Sequence, residues 1–210
     1  DHSQMFLLDY NGYGEGEQWN TWQKRSYFMY SLKDMMLGAE FDMKYGTWLR
    51  SLVFEYIYTK YQSGPYNHDR TQNIGDHIAG MDDYYNHSIY TGWQHWGQVI
   101  GNPLYRSPIY NTDNSIDVRN NRFYAVHLGV EGSPTERLDY RVLTTYQKGW
   151  GTYNNPFTKA YKDFSFLVEA KYKFNHDWTV KGGYAMDFGS EKMYGHNAGF
   201  QLTVTKSGLL

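Results

Sequence analysis

From Leu37 to Val204 the chain returns again and again to strict alternation of apolar and polar residues. Phe164, Phe166, Val168, Ala170, Tyr172 and Phe174 share one parity, and Ser165, Leu167, Glu169, Lys171 and Lys173 share the other. A helix, with 3.6 residues per turn, would scatter such a pattern over all its sides, whereas a strand puts each parity on its own face. Asn175-His176-Asp177 then supplies residues suited to a reversal. The return run sets Trp178, Val180, Gly182, Tyr184, Met186 and Phe188 against Thr179, Lys181, Gly183, Ala185 and Asp187. A final run sets Ala198, Phe200, Leu202 and Val204 against Gln201, Thr203 and Thr205.

The same period recurs upstream in Leu138–Gln147, Phe123–Glu131, Ser51–Thr59 and Leu37–Met43, and more weakly in Gln4–Tyr10. Roughly eight strands are predicted, with no helix of useful length. The connections sort by length. Short ones fall at Tyr45–Thr47, Gly132–Glu136 and Asn175–Asp177; long ones fall at Asn11–Asp34, Ser63–Asn120, Lys148–Lys162 and Gly189–Asn197. Short and long alternate, as the tight periplasmic turns and long extracellular loops of an outer-membrane barrel do. A soluble sandwich has no reason to keep that asymmetry.

Composition removes other classes. Twenty Lys and Arg stand against 22 Asp and Glu, a formal net charge of −2, which excludes the basic face of a nucleic-acid binder. The absence of Cys excludes disulfides, thiolate metal sites and cysteine catalysis. A mean hydropathy of −0.74 and the lack of any apolar run of ~20 residues exclude a membrane-spanning helix. Yet Tyr numbers 22, Trp 7 and Phe 11, so disorder is excluded too. A β-barrel averages an apolar outside with a polar inside, and this reconciles rich aromatics with low hydropathy.

Charge placement agrees. A charge facing lipid near the midplane costs ~2–4 kcal/mol, and Glu40, Asp42, Glu55, Asp139, Arg141, Glu169, Lys171, Lys181 and Asp187 all take the inward parity. Arg50 and Lys60 are outward exceptions at strand ends, where long side chains can snorkel. Val53, Ile57 and Leu143 point inward, so the interior is not uniformly polar. Outward aromatics gather at the strand ends, Trp48, Phe174 and Trp178 at one and Tyr58, Tyr146 and Phe188 at the other, as in an interfacial girdle. The expectation is an all-β, antiparallel transmembrane β-barrel in the bacterial outer membrane. Its surroundings would be lipid and lipopolysaccharide, with other outer-membrane proteins as candidate associates.

The chain opens on Asp1-His2-Ser3 without Met or signal peptide. Its longest connection is large for the rim of an eight-stranded barrel. Both features predict that residues 1–210 are the C-terminal portion of one wider barrel domain, with 63–120 a mouth loop region inside it.

That region leaves the alternating pattern and carries most of the chemistry. Tyr84, Tyr85, Tyr90, Trp93 and Trp96 offer flat apolar faces with polar edges. Asp82, Asp83, Asn86, Gln94 and His95 set hydrogen-bonding groups beside them. A sugar ring has an apolar face and a belt of hydroxyls, so the mixture suits saccharide; the same residues would also serve simply to fold the loop into the barrel mouth. Other constellations are weaker. His77, Asp82, Asp83 and His87 have ligand chemistry but no standard metal-site spacing. Asp113, Asn114 and Asp117 read as an Asx-rich turn before a Ca²⁺ site. Ser63, His68 and Asp69 lack the G-x-S-x-G elbow of a hydrolase. His127 faces inward as a hydrogen-bonded lumen group.

The run Gly80–Leu104, GMDDYYNHSIYTGWQHWGQVIGNPL, with YTKYQSGPYNHD before it and RNNRFYAVHLGVEG after it, resembles the Wzi-type capsule assembly family of the Bacteroidetes. The resemblance implies an outer-membrane barrel of about eighteen strands that holds capsular polysaccharide at the cell surface. It implies no chemistry and no cofactor or metal. Asp82, Asp83, Tyr84, Tyr85, Asn86, Trp93, His95 and Trp96 are then the saccharide-binding candidates. A porin-type channel for small solutes is the alternative.

Overall fold

The computed structural model describes residues 34–44, 47–60, 62, 83–87, 89–90, 92–174 and 177–208, and the backbone alone of 4–11 and 21–28. Among the described residues nine strands have eight residues or more: β1 (Gln4–Asn11), β2 (Thr21–Phe28), β3 (Met35–Asp42), β4 (Ser51–Tyr58), β7 (Phe123–Thr135), β8 (Leu138–Gly151), β9 (Pro156–Lys173), β10 (Trp178–Gly189) and β11 (His196–Lys206). Between β4 and β7 lie two short arms, β5 (Gln94–His95) and β6 (Gln98–Val99), and a 3-10 turn at Pro108–Tyr110. The described residues contain no α-helix.

Seven strands form one antiparallel sheet in the order β11-β10-β9-β8-β7-β4-β3, and β1 pairs with β2 in a separate sheet. Among the described residues the large sheet is open, with β3 and β11 at its edges. Its register joins like parity to like on every strand. Tyr56, Val126, Tyr146, Phe164 and Phe188 form one row across β4 to β10; Glu55, His127, Thr145, Ser165 and Asp187 form a row on the opposite face. A slip of one residue anywhere would exchange the two faces, so the alternation itself specifies the pairing. The consequence is a sheet with one apolar face, whose large side chains stay exposed, Phe200 at 72% and Leu37 at 59%.

The buried core lies on the other face. The described residues between β4 and β7 fold back over it, and Tyr105, Val118, Phe123 and Ala125 make the buried cluster, with Ile57, Tyr84, Tyr85, Val99 and Leu104 packed around it. Ile57, Phe123 and Ala125 come from the sheet and all have the inward parity. The Tyr105 ring meets Phe123 edge-on at 5.0 Å and Tyr85 at 4.1 Å, favourable geometries for aromatic pairs.

Two predicted loops are corrected. Asn11–Asp34 contains β2, paired residue by residue with β1 from Asn11↔Thr21 to Gln4↔Phe28. Its Thr21–Phe28 run alternates too weakly to read as a strand, but a backbone ladder needs no apolar face. Lys148–Lys162 shrinks to residues 152–155, because β8 and β9 continue pairing to Gly151↔Pro156. Polar residues on both faces conceal that extension. The separation of short and long connections is therefore less sharp than the sequence predicts. The excursion between β4 and β7 remains by far the longest. The Gly132–Glu136 link narrows to Glu136 and Arg137, with a register shift between Gly132 and Thr135. Pro134, which cannot donate to a ladder, sits inside that irregularity. Of the predicted turns, Tyr45, Gly46, Asn175 and His176 lie outside the described residues.

Phe123→Ala should loosen the excursion without dissolving the sheet. Removing so large a fully buried ring costs about 3–5 kcal/mol. Hydrogen exchange is expected to accelerate at amides 99–105 while β9 and β10 keep their protection. Equal acceleration in both would place Phe123 in a global core.

Candidate functional site

The docked excursion separates its polar and aromatic residues into two groups. Asp83, Tyr84, Tyr85 and Asn86 act as a clamp. The Asn86 amide donates to the Val118 carbonyl at 3.0 Å and accepts the Val118 N–H at 2.8 Å, bridging 32 residues with a strand-like pair. Asp83 Oδ1 accepts hydrogen bonds from the side-chain amides of Asn86 and Asn121. The Asn121 amide also donates to the Tyr84 carbonyl at 3.0 Å. The Tyr84 N–H donates to Gln62 Oε1 at 2.7 Å, and the Gln62 amide in turn donates to the carbonyls of Thr59 and Asn121. Burial against Tyr85 and the sheet pushes the Tyr105 phenol up, away from ionisation. These groups hold the excursion on the sheet.

Trp93, His95 and Trp96 are displayed instead. β5 and β6 form a hairpin whose two central residues, Trp96 and Gly97, have φ of 50° and 73°. Positive φ at both positions suits a tight hairpin turn, where Asn-Gly is the usual pair. Tryptophan there is strained, and its indole stands 87% exposed at the apex. Gly97 lies under Ile109, whose N–H donates to the Gly97 carbonyl at 2.9 Å. Trp93, 73% exposed, is tied through its carbonyl to the Ile100 N–H. The His95 ring meets Trp96 edge-on at 6.2 Å. Gly92 has φ +69°, and a Cβ there would lie 2.5 Å from the Tyr85 carbonyl. That glycine lets the hairpin leave the clamp. A strained, exposed aromatic that buries nothing contributes little to stability, which makes it a candidate for contact with a ligand.

The remaining candidates among the described residues have structural partners. Asp82, His77, Ser63, His68 and Asp69 lie outside the described residues. His87 stacks on Tyr90 at 4.1 Å and accepts the Ile89 N–H. Asp113 caps a turn by accepting the Ser115 N–H and pairs with Arg119. The Ser115 amide first, then Arg119, holds the Asp113 carboxyl below its usual range. His127 Nδ1 bonds Thr145 Oγ1 at 2.7 Å, as expected of an inward hydrogen-bonded group. Among the described residues no three His, Asp or Glu side chains converge.

A second constellation escapes the sequence reading. On the inward face Glu169 lies between Arg141 and Lys181, which reaches it at 2.6 Å. Around them opens a recess of about 470 Å³. Each charge is identifiable as inward by parity, but their assembly depends on register, which places Lys171 directly opposite Lys181.

Replacing Trp96 with Asn should separate display from folding. Left-handed backbone costs an ordinary L-residue roughly 1–2 kcal/mol, and Asn tolerates it better. Hairpin amides of Gln94 and Val99 are therefore expected to exchange more slowly in Trp96→Asn, while any ligand contact made by the indole is lost. Faster exchange would show that the indole holds the hairpin together.

Comparison of this chain with protein-family models, with curated proteins and with solved structures finds no match.

Proposed function

We propose that this chain forms part of the wall of an outer-membrane β-barrel whose β4–β7 excursion retains capsular polysaccharide at the cell surface, by binding and without chemistry. The observation that carries the membrane part is the division of faces. Seven strands present an exposed apolar surface on one side, while Glu40, Glu55, Asp139, Arg141, Glu169, Lys171, Lys181 and Asp187 all keep to the other. Water would leave such a surface as a large sticky patch; hydrocarbon removes that cost and in turn forbids charge on it. Exposed Trp48, Phe174 and Trp178 at one end of the strands, with Phe188 at the other, suit the two interfaces.

Saccharide retention is supported by the displayed half of the excursion. Trp93 and Trp96 offer exposed indoles, with His95 edge-on to the second, on a segment anchored by its own clamp. Pre-anchoring lowers the ordering cost of binding. Each sugar hydrogen bond adds only ~0.5–1.5 kcal/mol net, so a polymer is held by many repeated weak contacts. Asp83, Tyr84, Tyr85 and Asn86 serve this reading as scaffold. The charged inward face favours the second reading, a channel for small solutes, which would show steady ion conductance in a planar bilayer.

Spin labels at Val168 and Glu169 test the membrane placement: oxygen should reach the first and water-soluble relaxants the second. Equal accessibility would remove it. Capsule retention in cells carrying Trp93→Ala with Trp96→Ala tests the binding surface. Loss of most surface polysaccharide is expected from protein that still assembles as a heat-modifiable barrel. Wild-type retention by such protein would move the site elsewhere.

A further inference from the structure

The inward-face recess lies at the end of the sheet remote from the docked excursion, beside the β7–β8 turn. Its walls are Arg50, Glu131 and Ser133 on one side and Asp139, Arg141, Glu169, Lys171 and Lys181 on the other. Two features make it more than a solvated charged surface. Lys171 and Lys181 stand directly opposite each other on β9 and β10, and Lys171 also stands opposite Asp139 on β8. Like charges directly opposite in a ladder are destabilising unless a counter-charge is near. Of the three carboxylates in the lining, Glu131 stands opposite Arg141 in the ladder, and the other two are already engaged. Glu169, the buried floor of the recess, accepts from Arg141 Nε at 2.7 Å and from Lys181 at 2.6 Å. Asp139 accepts the Ser133 hydroxyl at 2.7 Å and has Lys171 and Lys173 at 3.8 and 3.9 Å.

Those last two separations exceed hydrogen-bonding reach. Lys171 therefore faces the recess with its ammonium donors unspent on Asp139. Arg50, expected from its parity to face outward at a strand end, instead turns into the recess, where its guanidinium donates to the Ser133 hydroxyl at 3.2 Å, a neutral acceptor. Gly183 stands opposite Glu169. Its missing side chain leaves the space above the carboxylate open. Four cationic side chains, Arg50, Arg141, Lys171 and Lys181, thus face three carboxylates, Glu131, Asp139 and Glu169, around a cavity large enough for one sugar unit.

We infer that this recess binds an oxyanion, a carboxylate or a sulfate or phosphate ester, between Lys171 and Arg50, with Arg141 and Lys181 held in place by Glu169. Arg50 offers the planar fork that suits carboxylate, and Lys171 a point charge. The anion can come free or carried on a sugar, as a uronate or sulfated residue. The sugar-borne form rests on the saccharide reading above; the oxyanion site does not.

Titration calorimetry on the full chain in detergent micelles tests this with sodium sulfate, tetragalacturonate and neutral maltotetraose at low ionic strength. Sulfate and tetragalacturonate are expected to bind, the second more tightly, and both to weaken at least tenfold in Arg50→Gln with Lys171→Gln. Lys171→Arg should retain binding, and Lys192→Gln, on the remote β10–β11 connection, should not change it. Heat-modifiable migration checks assembly of each variant. Sulfate and galacturonate affinities unchanged in the double variant overturn the proposal. So does maltotetraose binding that matches tetragalacturonate. If Trp93→Ala with Trp96→Ala abolishes polysaccharide retention while the double variant binds anions normally, the recess proposal fails and the saccharide reading stands. Anion binding lost in the double variant, with retention unaffected by the tryptophan changes, gives the converse.

Discussion

Everything in this molecule hangs on the antiparallel backbone ladder and the parity it imposes. Hydrogen bonds between strands satisfy the peptide groups whatever the side chains are, so the ladder alone would accept many registers. Register is constrained because side chains alternate, and a slip of one residue would move the apolar row of a strand onto the charged face. Across seven strands that choice is made six times, and each time Phe, Tyr, Val and Leu meet their like. The same alignment brings Glu169 against Arg141 and Lys181 on the opposite face. The apolar face and the charged face are therefore one consequence of the same register.

The excursion between β4 and β7 solves a different problem. A segment that long has many backbone groups to satisfy without a ladder. It does so by borrowing side-chain amides: Asn86 imitates a strand partner for Val118, and Gln62 and Asn121 bridge Thr59, Asp83 and Tyr84. Burial of Tyr105 against Phe123 adds the apolar contribution. Tyr194, on the β10–β11 connection, donates to the Pro103 carbonyl at 2.7 Å and ties a second loop to it. With the segment so anchored, Trp96 can occupy a strained apex without unravelling it.

Amphipathic position decides which aromatics are free to bind. Tyr84, Tyr85 and Trp93 look alike in the sequence, each flanked by polar residues. Folding packs the first two, half-buried, against the buried cluster as part of the clamp and leaves the third in solvent. Of the saccharide candidates, Trp93, His95 and Trp96 keep that capacity, while Asp83, Tyr84, Tyr85 and Asn86 become the support that positions them. Arg141, Lys171 and Lys181 were visible in the sequence only as inward charges and Arg50 only as an outward one at a strand end, because no local spacing connects Arg50 with Lys171.

The sequence by itself determined the alternating cores of the large sheet's strands, their parity and the sign of each face. Period-2 alternation is a local property, and a strand's two sides follow from its backbone geometry. It also marked residues 63–120 as the region outside that pattern. It did not show β2, or the extension of β8 and β9, since pairing through the backbone leaves no mark when neither face is apolar. Only the tertiary structure decided which loop residues became clamp and which became display, and which inward charges met. Those outcomes depend on contacts between residues distant in the chain, where burial and hydrogen bonding are settled by what lies opposite rather than by what lies next.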